Sequence, residues 1–129
     1  MSHFTNELEE RVLDWAFTTG SPTRPTAWWV GLFDTTPTDD IGTNGVENAD
    51  TGYARQSVTF TRTSQTMNPS ATITFGPATG AWDTANGFGI STLVSAGVWL
   101  AYNALTTPRT LGDGDSAEFA TTDLSITID

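Results

Sequence analysis

The sequence predicts a mainly β protein: a single antiparallel β-sandwich of about seven strands, preceded by one N-terminal α-helix. Three observations carry this. Short apolar runs, alternating or continuous, recur at roughly ten-residue spacing, and Gly, Pro, Asn or Asp closes each one. Helical spacing of apolar residues occurs once, before Gly20. And 129 residues suffice for one domain with a real core and little more. The expected organisation is one domain over 1–129, with the helix at about 6–19, a linker at 20–26 and the sandwich from 27 to 129.

The helix comes first. Asn6 is placed to cap it, with Glu9 three residues on as in a capping box. Leu8, Val12 and Trp15 follow at i, i+4 and i+7 beside Ala16, and Leu13 and Phe17 widen the apolar face. Glu7, Glu10, Arg11 and Asp14 cover the other side, and Gly20 and Pro22 are expected to stop the helix. The favoured reading packs this face on the protein's own sheet; the sharper alternative places it against a neighbouring subunit.

After the Ser21–Pro25 linker, Trp28-Trp29-Val30-Gly31-Leu32-Phe33 is too apolar for a half-exposed edge and reads as a central strand. Trp28 and Trp29 point to opposite faces, so one is core and the other needs cover. Asp34 to Thr51 reads as one long loop carrying Asp39, Asp40, Glu47 and Asp50, a binding element or a mobile segment. Tyr53 to Arg62 alternates, with Val58 and Phe60 inward and Thr59 and Thr61 outward. Arg55 is expected to form an exposed pair with an acidic loop, which adds little stability. Thr63 to Ser70 reads as a polar loop.

The stretch from Ala71 to Tyr102 organises the rest. Ile73 and Phe75 alternate with Thr72 and Thr74, the chain turns at Gly76-Pro77, and it passes Trp82 within small and polar residues. A second apolar run begins at Phe88, and a third, Val98 to Tyr102, follows Ser95-Ala96-Gly97. Trp82 is expected to plug the end of the sheet stack or to meet a partner. Thr106-Thr107-Pro108 reads as an interruption, Glu118 to Ala120 as a short strand, and Leu124, Ile126 and Ile128 as the inward side of a final strand.

Composition narrows the function. Fifteen Asp and Glu face five Arg and no Lys, a formal charge of -10. Such a field repels nucleic acid and anionic membranes alike. The acidic N-terminus does not read as a signal peptide, and no apolar stretch approaches a bilayer span. With no Cys and a single His, His3, the familiar nucleophilic and zinc sites lack their parts. Asp113, Asp115 and Glu118 read as a tight turn before they read as a cation loop, because Asp and Gly are what turns demand. No enzyme, cofactor or metal is expected.

Several ordered pieces together resemble a family of small virion structural proteins of tailed bacteriophages, of the tail fibre or capsid cement kind. They are the acidic helix with Leu8 and Leu13, Trp29 through Pro37, Gly52-Tyr53-Ala54-Arg55, Ile73-Thr74-Phe75, Ala78 through Trp82, Gly87-Phe88-Gly89-Ile90, and Gly114-Asp115 to Ile128. The resemblance implies a non-enzymatic subunit assembled in the host cytoplasm into a virion. Its partners would be other virion proteins, the major capsid protein or tail proteins, in a homo-oligomer or a lattice. Within that class the reading prefers a cement (decoration) protein on the shell, since 129 residues without repeats supply no shaft. The alternative is a tail-fibre or tail-tip component, or a receptor- or carbohydrate-binding module if Trp82 and Trp99 form an exposed platform. The expected interaction surface is Leu8, Val12, Trp15, Phe17, Asp39, Asp40, Trp82 and Trp99.

Overall fold

Antiparallel pairing organises the computed structural model, which describes residues 3–128. Helix α1 (Asn6–Phe17) precedes β1 (Trp28–Thr35), a single-turn helix α2 (Ile41–Asn44), β2 (Val46–Glu47), β3 (Gln56–Val58) and β4 (Phe60–Thr63). Then come β5 (Thr66–Pro69), β6 (Ile73–Phe75), β7 (Ala85–Ser91), β8 (Trp99–Arg109), β9 (Ala117–Phe119) and β10 (Ile126–Thr127). The mainly β class with one leading helix is as expected. The described residues hold ten strands where about seven were counted, because polar stretches also pair.

β1 lies at the centre of the largest sheet. It pairs along one side with β7, from Trp29 opposite Ser91 to Phe33 opposite Gly87. Its other side is shared: β3 covers Trp28 to Val30, and β2 covers Phe33 to Thr35. β7 pairs onward with β8, whose far side receives the bridge between Phe4 and Ala101. Val30, Leu32, Phe88 and Ile90 from one face of this sheet join Phe75, Phe119, Leu124 and Ile126 in one buried cluster. The β6–β9 pair and the β4–β5–β10 sheet thus form the second layer over that face.

Several expectations change. Thr5, not Asn6, caps α1: its Oγ1 accepts from Leu8 N at 3.3 Å, which moves Glu9 out of the capping-box position. The helix ends at Phe17 with Thr18 in an extended conformation, before Gly20 is reached. The Asp34–Thr51 loop contains α2 and β2, and Ile41 and Asn48 in it are buried. Within the supposed loop 63–70, Thr66–Pro69 pairs with both β4 and β10. Thr106 to Pro108 does not end its strand. Proline is tolerated there because β8 pairs only with β7 in that region.

Candidate functional site

The N-terminal arm is built from its first turn upward. Thr5 N donates to Leu100 O at 3.0 Å, and Tyr102 N donates to His3 O at 3.0 Å. Thr5 Oγ1, besides capping the helix, lies 2.7 Å from Trp99 O and 3.1 Å from Leu100 O. Asn6 N donates to Asp39 O at 3.1 Å. The Tyr102 hydroxyl donates to the Asp39 carboxylate, and the His3 ring stands edge-on to the Tyr102 ring at 6.1 Å. Burial, then the bond to Asp39 and the charges of Asp39 and Glu9, push the Tyr102 phenol up to about 12. A buried threonine and an aspartate–tyrosine bond therefore clamp the arm to β8.

Past that clamp the helix leaves the body. Glu7 and Glu9 suit its positive N-terminal end, and Arg11 pairs with Glu7 at 2.9 Å and reaches Thr23 O. None of its residues is buried. Leu8 is half-buried, Val12 and Leu13 are exposed, and Trp15 and Phe17 are 75% and 82% exposed. The expectation that this face packs on its own sheet is overturned, because only the first turn has partners in the body. The alternative reading survives.

The other expected residues divide. Asp39 and Asp40 are exposed; Asp39 serves the clamp, and Asp40 precedes α2 and accepts from Asn44 N through its carbonyl. Trp82 is 4% exposed, sits in the main cluster and donates from Nε1 to Thr51 O at 3.0 Å. Trp99 lies on the opposite face of the large sheet. Its ring rests over Gly31 and Gly89, which pair with each other. A Cβ at either glycine would meet that ring within 2.9 Å. The two tryptophans form no common platform, so the glycan-binding alternative loses the feature that motivated it.

What sequence reasoning missed is the polar cap on Trp99. The Arg55 guanidinium stacks 4.2 Å above that ring and is only 8% exposed. Its Nε and Nη2 reach the two Glu47 carboxylate oxygens at 2.7 Å each. Nη1 donates to Ser91 Oγ, Leu93 O and Ala96 O. The Tyr53 hydroxyl donates to Glu47 at 2.8 Å and accepts from Leu32 N at 3.0 Å, filling the gap on β1 between β2 and β3. Burial and the Glu47 carboxylate hold that phenol well above its ordinary range. The bonds to Leu93 and Ala96 fix the 92–97 turn, where Gly97 has a positive φ and Leu93 and Val94 are exposed. The signal was present: Arg55 is one of only five cations, near Tyr53 and downstream of Glu47.

Chemically, these surfaces offer apolar and acidic contact. Asp115 Oδ2 accepts from Gly112 N at 2.9 Å, the bond of a tight turn. Among the described residues, no three His, Cys, Asp or Glu side chains converge in a way that could hold a metal ion. Nor is any described helix long and apolar enough to cross a membrane. A family model described as podophage GP4 fiber I protein gp80 matches residues 3–127. No curated protein matches the chain.

Proposed function

The chain belongs to the podophage GP4 fiber I protein family, and from that premise we propose that its β body is fastened to other virion proteins by the N-terminal arm. As a member of that family it is a bacteriophage virion structural protein. The family description supports a fiber-type component and gives no support to the cement reading preferred from sequence. The absence of a shaft carried that preference, and a small member of a fiber assembly needs no shaft of its own. We read it as non-enzymatic, with residues 27–128 as the body and 3–17 as the arm.

One observation carries this proposal: a helix is clamped by its first turn and buries none of its residues. Fully burying a side chain such as Phe17 is worth about 1.5–3 kcal/mol relative to leaving it in water. Exposing Trp15 and Phe17 together therefore favours association as soon as a partner covers them. In the test, Trp15→Ala and Phe17→Ala are compared with wild type by thermal melting and by retention on particles after salt or heat. The body should melt as wild type does, while Trp15→Ala weakens retention by on the order of 2 kcal/mol. Normal retention with a lowered melting temperature would return the helix to the core and defeat the proposal.

A further inference from the structure

We propose that Asn44 is a self-modifying site, at which the main chain converts the side-chain amide to aspartate and isoaspartate without an enzyme. Asparagine does this where the next residue lacks a Cβ, because the following amide nitrogen then reaches the side-chain carbonyl carbon. The chain has two such pairs, Asn44-Gly45 and Asn86-Gly87. The structure treats them oppositely. Asn44 is exposed at the end of α2, a single turn closed by Asn44 N donating to Asp40 O at 3.0 Å and Gly45 N donating to Ile41 O at 3.1 Å. So short a helix has little cooperativity to resist opening, and breaking the second bond frees the nitrogen that attacks. Asn86 lies in β7, with Gly87 opposite Phe33 of β1 on one side and Ala104 of β8 on the other. Its side-chain nitrogen donates to Asp34 O at 2.8 Å and Thr84 O at 3.1 Å, and a Cβ at Gly87 would meet Pro37 Cδ at 2.7 Å.

The step balances with water alone. The Gly45 nitrogen gives its proton to solvent base and attacks Asn44 Cγ, and the side-chain nitrogen leaves as ammonia, closing a cyclic imide. Water then adds to either imide carbonyl and breaks that C–N bond. One opening leaves aspartate; the other leaves the main chain running through the β-carboxyl, longer by a methylene. Either product adds a negative charge to a chain of net charge -10. The longer product meets a segment with no slack. Ile41, 4% exposed, anchors one end, and a Cβ at Gly45 would already meet Phe33 Cε1 at 2.7 Å and Ile41 O at 3.0 Å. Glu47 anchors the other end, opposite Phe33 and bonded to Arg55 at 2.7 Å. Isoaspartate at this position therefore displaces β2 and loosens Glu47 from the arginine that covers Trp99.

The experiment incubates the purified protein in warm, mildly alkaline buffer, natively and in urea. Both pairs are followed by peptide mapping with mass spectrometry, in which isoaspartate and aspartate peptides separate by retention. In urea the two sites should convert at similar rates. In the native protein Asn44 should convert at least about tenfold faster than Asn86, since α2 opens locally and β7 only with its sheet. Asn44→Gln should abolish the change, because glutamine closes its larger imide far more slowly. Incubated wild type should melt below fresh protein. Incubated Asn44→Gln should keep its melting temperature, and fresh Asn44→Asp should melt as fresh wild type does. Native conversion at Asn86 as fast as at Asn44, or none at Asn44 while the chain in urea converts, would overturn the assignment. Conversion to isoaspartate with unchanged melting would overturn the link to the Glu47–Arg55 pair.

Discussion

Arg55 is the residue whose loss should be felt over the widest area. It neutralises Glu47, covers Trp99 and holds two carbonyls of the 92–97 turn. Removing one partner of a buried pair leaves the other charge uncompensated, at about 3–5 kcal/mol. Arg55→Ala should lower stability in denaturant melts by about 3 kcal/mol, and a loss under about 1 kcal/mol would mean that water replaces the network. Arg55→Lys should not rescue it, since an ammonium cannot reproduce the fork or the stacking. Asp34 provides a pH-dependent case. Burial first, then the charges of Asp83 and Asp50, raise its carboxyl above the ordinary value, against a donated bond from Asn48 Nδ2 at 3.0 Å. The folded chain therefore keeps this proton to higher pH than the unfolded chain. Asp34 contributes fully below its unfolded pKa, and that contribution is lost as pH rises through the raised folded value. Asp34→Asn should melt above wild type at pH 7, with the difference closing below about pH 3. Equal melting at both pH values would remove Asp34 from the account. The pairing of Arg55 with an acidic loop was legible, but its burial over Trp99 and the environment of Asp34 were not, because both depend on partners brought from elsewhere in the chain.

At the scale of elements, α1 and the strands of the large sheet differ in how much of their definition is local. The helix was legible from its spacing and its acidic first turn. Its cap was misplaced by one residue, because Asn6 and Thr5 are both good caps and the choice falls to the bonds that Thr5 makes with β8. β1 and β6 were legible because their apolar patterns alone specify them. β5 was not: Thr66-Met67-Asn68-Pro69 carries no alternation, and only its two neighbours make it a strand. The clamp also separates the two parts of the protein. Thr5→Val should remove the cap and the hydroxyl bond to β8, costing the helix about 1 kcal/mol. Hydrogen exchange should then accelerate across residues 6–17 while β1 and β7 keep their protection. Equal acceleration in both would mean that arm and body unfold as one unit.

For the whole molecule, the class and the leading helix were legible, and so was the kinship with small phage virion proteins. Of the expected interaction surface, the structure leaves the helical residues Val12, Trp15 and Phe17 exposed and places Trp82 in the core. Trp82 and Trp99 looked alike in sequence, as large rings among small residues, yet one lies in the core and the other beneath an arginine. Nothing local to either residue distinguishes them: register sets the sheet face of Trp99 in β8, while Trp82 lies in the loop between β6 and β7 and is placed by its contacts with the core. With α1 docked as proposed, the two attachments of the arm bear on how mechanical load would reach the body. Its front end is held to the edge strand β8 by a few hydrogen bonds, which a sideways pull opens one at a time, like a zip. Its back end runs through residues 18–27 into β1, which has pairing partners along both sides. Tension on a docked α1 that outlasts the clamp thus passes along the chain to the middle of the sheet. There the ladders on both sides of β1 resist in shear, many bonds at once, so the weak edge yields first and the strong centre bears what remains.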